Sequence, residues 1–154
     1  MKVLSLVGRS GVGKTALLEL AFQQLSQRGI SALAVKSSHH DLADSPGTDS
    51  HRLAEAGAEG VVLLGKTGIH LFSHPLTLEE ILRVVAGRYE VALVEGGKQS
   101  GLPKVELVGT ASPMLALDQV VERLPRGRSA TDLAPVLRFL QLLESHGEEV
   151  GGAI

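Results

Sequence analysis

Cysteine and tryptophan are absent from the 154 residues, and the aromatic side chains are one tyrosine and three phenylalanines. Without cysteine there is no disulfide, no thiolate nucleophile and no zinc–thiolate site. Aromatic residues make up only 3% of the chain, which argues against base stacking on aromatic platforms as its function. The formal net charge is −2, so no polycationic surface advertises a nucleic acid or a membrane as partner. No apolar stretch approaches the roughly 18 residues that a membrane span requires. The N-terminus reads as a strand and a loop rather than a signal peptide, so the expected location is the cytoplasm. Hydrophobic residues at 44% and charged residues at 21% suit a globular protein. The length suits one domain spanning residues 1–154.

Glycine, by contrast, is plentiful and placed. Residues 8–15 read GRSGVGKT, directly after an apolar run. This is the P-loop pattern G-x-x-x-x-G-K-[ST], with a strand expected before it and a helix, ALLELAFQQL, after it. Gly8, Gly11 and Gly13 let the backbone take conformations closed to other residues and approach a phosphate closely. The N–H groups along Arg9, Ser10, Val12 and Ala16 then belong to a cradle at a helix N-terminus, where the dipole favours anions. Lys14 is expected to reach the β- and γ-phosphates as the catalytic cation, and the Thr15 hydroxyl to ligate Mg²⁺.

Strand and helix signals alternate along the chain. KVLSLV, ISALAVK, GVVLLG, EVALVEGGK and KVELVG read as strands. Residues 15–28, a short stretch around 51–58, 76–87 and 129–144 read as helices, the last with Thr131 as its cap. GKTGIHLF reads as a turn and a short strand, whose Lys66 and His70 decorate a hairpin. Residues 112–128 carry little pattern. The expected fold is α/β: a three-layer P-loop NTPase fold, with a mainly parallel twisted sheet and helices on both faces. Ligands of such sheets lie at the carboxyl ends of the strands.

Two more segments fall on that rim. Val91 to Lys98 read VALVEGGK, an apolar strand ending in a carboxylate. This is the Walker-B arrangement, with Glu95 holding Mg²⁺ beside Thr15, while Gly96 and Gly97 keep the turn open near the phosphates. Lys98 has phosphate, substrate or a partner within its expected reach. The second segment is SSHHDLADSPGTDSHR, after the second strand. Asp41 and Asp49 are candidates to hold Mg²⁺ and to position the attacking group, with Asp44, His39, His40 and His51 nearby in sequence. The same composition also suits a solvated loop. No Asn-Lys-x-Asp segment is present, so the residues leave guanine against adenine open.

Taken together, GRSGVGKT, AVKSSHHDLADSPGTDSHRLAEAGA and VALVEGGK resemble the MobB family of molybdopterin-guanine dinucleotide biosynthesis adaptors. The diagnostic stretch is a Lys-x-x-His-His-Asp strand end followed by Pro-Gly-x-Asp-Ser. The resemblance implies a homodimer that binds GTP with Mg²⁺ and hydrolyses it slowly at most. It implies an accessory role beside MobA, which attaches GMP to molybdopterin. It places His40 in the nucleotide site, with Asp41, Pro46, Gly47, Asp49 and Ser50 filling the central motif. Two other readings stand beside it. One is a small P-loop kinase or other phosphotransferase acting on a metabolite, with residues 122–128, ERLPRGR, as a short lid. The other is an interaction module that keeps the loop without turnover. Arg9 and Arg52 are the candidates for a charge-stabilising arginine.

Overall fold

The computed structural model describes residues 1–37, 46–56, 60–64, 69–73, 77–110, 113–129 and 131–152. In chain order the elements are β1 (Lys2–Gly8), α1 (Lys14–Gln27), β2 (Ala32–Lys36), α2 (Asp49–Glu55), β3 (Gly60–Leu64) and β4 (Ile69–Ser73). They continue with α3 (Leu78–Val85), β5 (Val91–Glu95), β6 (Lys104–Val108), β7 (Val120–Pro125), α4 (Ala134–His146) and β8 (Glu148–Glu149). The chain groups into two compact units, Met1–Ser38 with Leu78–Ile154, and His39–Thr77.

In the first unit, β1 is the central strand. Its parallel neighbours are β5 on one side and β6 on the other, giving the order β2-β5-β1-β6-β7. The two residues of β8 pair antiparallel with the start of β1. Flanked and covered on both faces, β1 must be apolar nearly throughout, and Val3, Leu4, Leu6 and Val7 are fully buried. Successive side chains point to opposite faces. Leu4 and Leu6, with Leu93, Val105 and Leu107, pack against Leu17, Leu18, Ala21 and Leu25 of α1 and Phe139, Leu140 and Leu143 of α4. Val3, Ala92 and Val94 face the other way, onto Leu82 of α3 and Leu102. The expected three layers with helices on both faces are therefore present. Each fully buried leucine contributes about 1.5–3 kcal/mol, so this packing rather than helix propensity holds α1 and α4 in place.

The second unit holds α2 and an antiparallel β3–β4 pair in which Val61 faces Phe72. α2 packs on β3, and Val61 is buried.

Two readings from sequence need correction. Residues 122–125 of the supposed lid lie in β7, parallel to β6, and Leu124 is buried in the core. Four of its seven residues are therefore structural strand, and only Arg126, Gly127 and Arg128 lie beyond it. The cap of α4 is not Thr131, whose hydroxyl meets Ser129 instead. Leu133 holds the N-cap position without a side-chain bond, and Asp132 just before it accepts the Ala134 N–H at 3.1 Å through one carboxylate oxygen.

Candidate functional site

The end of β1 turns into the loop at Gly8, and α1 begins at Lys14. Gly8, Gly11 and Gly13 have φ of 151°, 74° and 103°. All three lie where side-chain-bearing residues rarely go. At Gly8 space is also limiting, because a Cβ would stand 2.6 Å from the Leu107 carbonyl oxygen. Gly13 occupies the helix N-cap without a side-chain cap, and the first turn of α1 carries no acidic residue. That turn is thus left electropositive, a natural seat for an anion.

Lys14 Nζ donates to the carbonyls of Arg9 at 2.8 Å and Gly8 at 3.2 Å, so the ammonium lies across the loop. Burial lowers its pKa from the ordinary lysine value; Glu95 opposes this, while Lys98 and Lys36 add to it. Burial and like charge both disfavour the ammonium. The negative charge of a bound polyanion opposes both influences by favouring the ammonium.

Glu95 closes β5, the strand hydrogen-bonded beside β1, in register with Leu6. The Thr15 hydroxyl donates to Glu95 Oε2 at 2.9 Å. Sequence spacing of eighty residues thus becomes one hydroxyl–carboxylate pair. The turn after Glu95 is tied down on three sides. Gly96 N–H donates to Leu6 O at 3.0 Å, Ser5 Oγ donates to Gly96 O at 2.5 Å, and Ser37 N–H donates to Glu95 O at 2.9 Å. Gly96 has φ 98°, and a Cβ there would collide with the Ser37 carbonyl oxygen. Only glycine fits that crossing. Further on, the buried Lys104 ammonium donates to the carbonyls of Ser100 at 2.6 Å and Leu102 at 2.9 Å. It thereby holds the turn that carries Gly97 and Lys98.

On the other side of the loop, Arg9 Nε donates to Pro113 O at 3.2 Å. The segment containing Pro113 is anchored in turn by Glu106. Its carboxylate accepts from Leu115 N–H at 2.7 Å and from Arg123 Nε at 2.8 Å. Neither Glu106 nor Arg123 was singled out from sequence. The alternation in KVELV resembles a half-exposed strand, yet Glu106 is buried, with Leu115 N–H and Arg123 as its partners.

The remaining candidates divide. Ser10 and Gly11 lie exposed on the loop, Val12 is buried beneath it, and Ala16 lies one residue past Thr15. Asp49 opens α2 in the second unit, exposed and 3.6 Å from Arg52. His39, His40, Asp41, Asp44 and Lys66 lie outside the described residues. Among the described residues, no group of three or more His, Cys, Asp or Glu side chains could hold a metal ion. The Thr15–Glu95 pair nevertheless suits Mg²⁺ beside a nucleotide. Such an ion takes hard oxygen ligands, needs few from the protein, and completes its shell with phosphate and water. No helix among the described residues is long and apolar enough to cross a membrane.

A mostly parallel sheet with a glycine loop between its central strand and a helix, and an acid on the adjacent strand, defines the P-loop α/β class. Comparison with known proteins narrows it. Residues 3–122 match the model of a family described as MobB, molybdopterin guanine dinucleotide synthesis protein B. The chain is 34% identical over 110 residues to a molybdopterin-guanine dinucleotide biosynthesis adapter protein of Haemophilus influenzae, covering 68% of this chain and 62% of that one. It is 31% identical over 128 residues to the adapter of the same name in Escherichia coli, covering 79% of this chain and 73% of that one. The chain thus spans less than two thirds of the Haemophilus influenzae relative's length. Among solved structures, a MobB homolog from Bacillus stearothermophilus superposes with a TM-score of 0.58 at 22% identity, over 94% of this chain and 99% of that one. A second structure, of molybdopterin-guanine biosynthesis protein B, superposes with a TM-score of 0.63 at 21% identity, over 93% and 98%. The chain belongs to the MobB family.

Proposed function

We propose that this chain binds GTP with Mg²⁺ and acts as an adaptor beside a MobA-type guanylyltransferase in making molybdopterin guanine dinucleotide. The observation that carries the reading is the Thr15–Glu95 contact at 2.9 Å at the mouth of a correctly built P-loop. The names of the curated relatives support the pathway. In this reading residues 1–154 act as one nucleotide-binding domain. The loop from Gly8 to Gly13 wraps the phosphates, Lys14 neutralises them, and Thr15 and Glu95 hold the ion. Bound Mg²⁺ supplies charge neutralisation on the phosphate oxygens. Gly96 and Gly97 leave room beside the phosphates, and the family resemblance assigns His40, Asp41 and Asp49 to nucleotide and ion. The protein works as a homodimer in the cytoplasm, without nucleic acid or membrane.

Hydrolysis is slow in this reading. A fast P-loop NTPase uses an arginine on the transferring phosphate, worth roughly 10³–10⁵ in rate. Arg9 already donates to Pro113, and Arg52 pairs with Asp49.

The ion site has a direct test. Glu95→Gln removes the charge but keeps the shape. In a titration of GTP binding against magnesium, the variant needs roughly tenfold more Mg²⁺ for half-maximal effect, the consequence of losing one charged partner of a partly buried ion. An unchanged magnesium requirement contradicts the assignment of Glu95. The adaptor role is tested by adding the chain to molybdopterin guanylylation by a MobA-type enzyme. Stimulation that requires GTP supports the role, and an unaltered rate refutes it.

A further inference from the structure

The P-loop has two sides, and its ion-holding side is only one of them. Thr15 and Glu95 lie toward β5, while β6 flanks β1 on the opposite edge. A triphosphate threaded through the loop with its terminal phosphates toward Glu95 leaves its nucleoside toward β6 and β7. On that side lies a cavity of about 230 Å³, the space of roughly seven or eight waters, enough for one heteroaromatic base. Gly13 and Ala16 form its wall on the phosphate side, and Leu107 and Pro135 supply apolar surface suited to the faces of a ring. The polar part of the lining includes Asp132, from the turn between β7 and α4.

Asp132 is unusually well fixed for a turn carboxylate. Oδ2 accepts the Arg128 N–H at 2.9 Å, and Oδ1 accepts the Ala134 N–H at 3.1 Å. A Cβ on Gly127 would stand 3.0 Å from Asp132 Cβ, so the small residue there leaves the aspartate its place. The two backbone bonds also lower the pKa of the carboxyl and favour the charged form. Each oxygen keeps a further lone pair. A fixed, ionised carboxylate is acceptor-only. Guanine offers it two adjacent donors, N1–H and N2–H. Adenine sets a ring-nitrogen acceptor against it, which leaves one contact repulsive and unpaired.

We infer that this cavity is the nucleoside subsite and that Asp132 selects guanine within it. The inference rests on the triphosphate reading above, and supplies the base recognition that an Asn-Lys-x-Asp segment would otherwise provide. The test is competition against labelled GTP on the full chain, using GTP, ATP, xanthosine triphosphate and inorganic tripolyphosphate. Wild type is compared with Asp132→Asn, which keeps the size and one oxygen to accept a backbone N–H, while tripolyphosphate binding reports that the loop remains intact. The variant binds GTP roughly ten- to hundredfold more weakly, the worth of one bidentate base contact. It binds xanthosine triphosphate more tightly than wild type does, because the amide N–H meets the xanthine 2-oxygen. Tripolyphosphate competes equally with both. A GTP-to-xanthosine triphosphate ratio that does not move overturns the inference alone, provided both proteins bind tripolyphosphate. Failure of wild type to bind GTP or tripolyphosphate overturns the triphosphate reading, and the inference with it.

Discussion

Lys14→Ala loses GTP affinity by roughly 10²–10⁴-fold, because contacts between an ammonium and two phosphates are each worth about 1.5–3 kcal/mol. The folded protein does not suffer in parallel. Lys14 sits in the loop with its pKa lowered, chiefly by burial. A base whose folded pKa is depressed costs the folded state free energy at every pH where the unfolded chain is charged. That cost is full below the folded pKa and falls away as pH rises from the folded pKa to the unfolded one. At neutral pH, removing the ammonium relieves the cost and sacrifices two bonds to the Gly8 and Arg9 carbonyls. The nucleotide-free variant therefore melts close to wild type. Thermal unfolding with and without GTP separates the two effects. At a hundred times its Kd a ligand stabilises by about 2.7 kcal/mol, roughly 5–10 °C for a chain of this length. Wild type shows that shift and Lys14→Ala does not. Equal shifts in both proteins refute the assignment of the loop.

Glu106→Ala is expected to lose about 2–4 kcal/mol of stability, a large effect for a polar residue away from the loop. Glu106 is 2% exposed, and its partner Arg123 is 42% exposed. Truncation leaves the Leu115 N–H without its acceptor and the guanidinium with water on one side only. It also frees the segment holding Pro113, the acceptor for Arg9 on the P-loop. Stability and nucleotide affinity should therefore fall together. Glu122→Ala is the control. It breaks an equally close pair with Arg138, but one that stands at the surface, where water already screens both charges. Urea midpoints rank the three proteins: wild type and Glu122→Ala close together, Glu106→Ala well below. Similar losses in the two variants show that the Glu106 carboxylate, though buried, contributes no more than a surface bridge.

The two pairs also mark how far the residues could be read unaided. GRSGVGKT is legible because each position has a local reason: glycine for conformation, lysine for charge, threonine for a hard oxygen. VALVE before two glycines is legible as a buried strand with an acid at its end. The alternation of apolar strands and amphipathic helices sufficed for a parallel sheet with helices on both faces. The β7 strand was not legible. Residues 120–125 read VVERLP, whose charges and final proline look like loop, yet Leu124 is buried and Val120 to Pro125 pair along β6. KVELV misleads in a related way. Lys104 and Glu106 alternate with Val105 and Leu107 as a solvated face would. Both charges are buried, because Ser100, Leu102, Leu115 and Arg123 satisfy them.

From sequence alone came the phosphate loop, its acid partner, the fold class and the family resemblance. These rest on contiguous residues whose chemistry is local, and on periodicity that reports which face is covered. Only the tertiary structure decided that Thr15 and Glu95 touch and that Glu106 anchors the segment behind Arg9. It alone placed Asp132 in the wall of a cavity beside the P-loop. Each of those joins residues far apart in the chain, and strand order, not spacing, determines which distant residues meet. A buried charge is recognisable only when the atoms that satisfy it are in place.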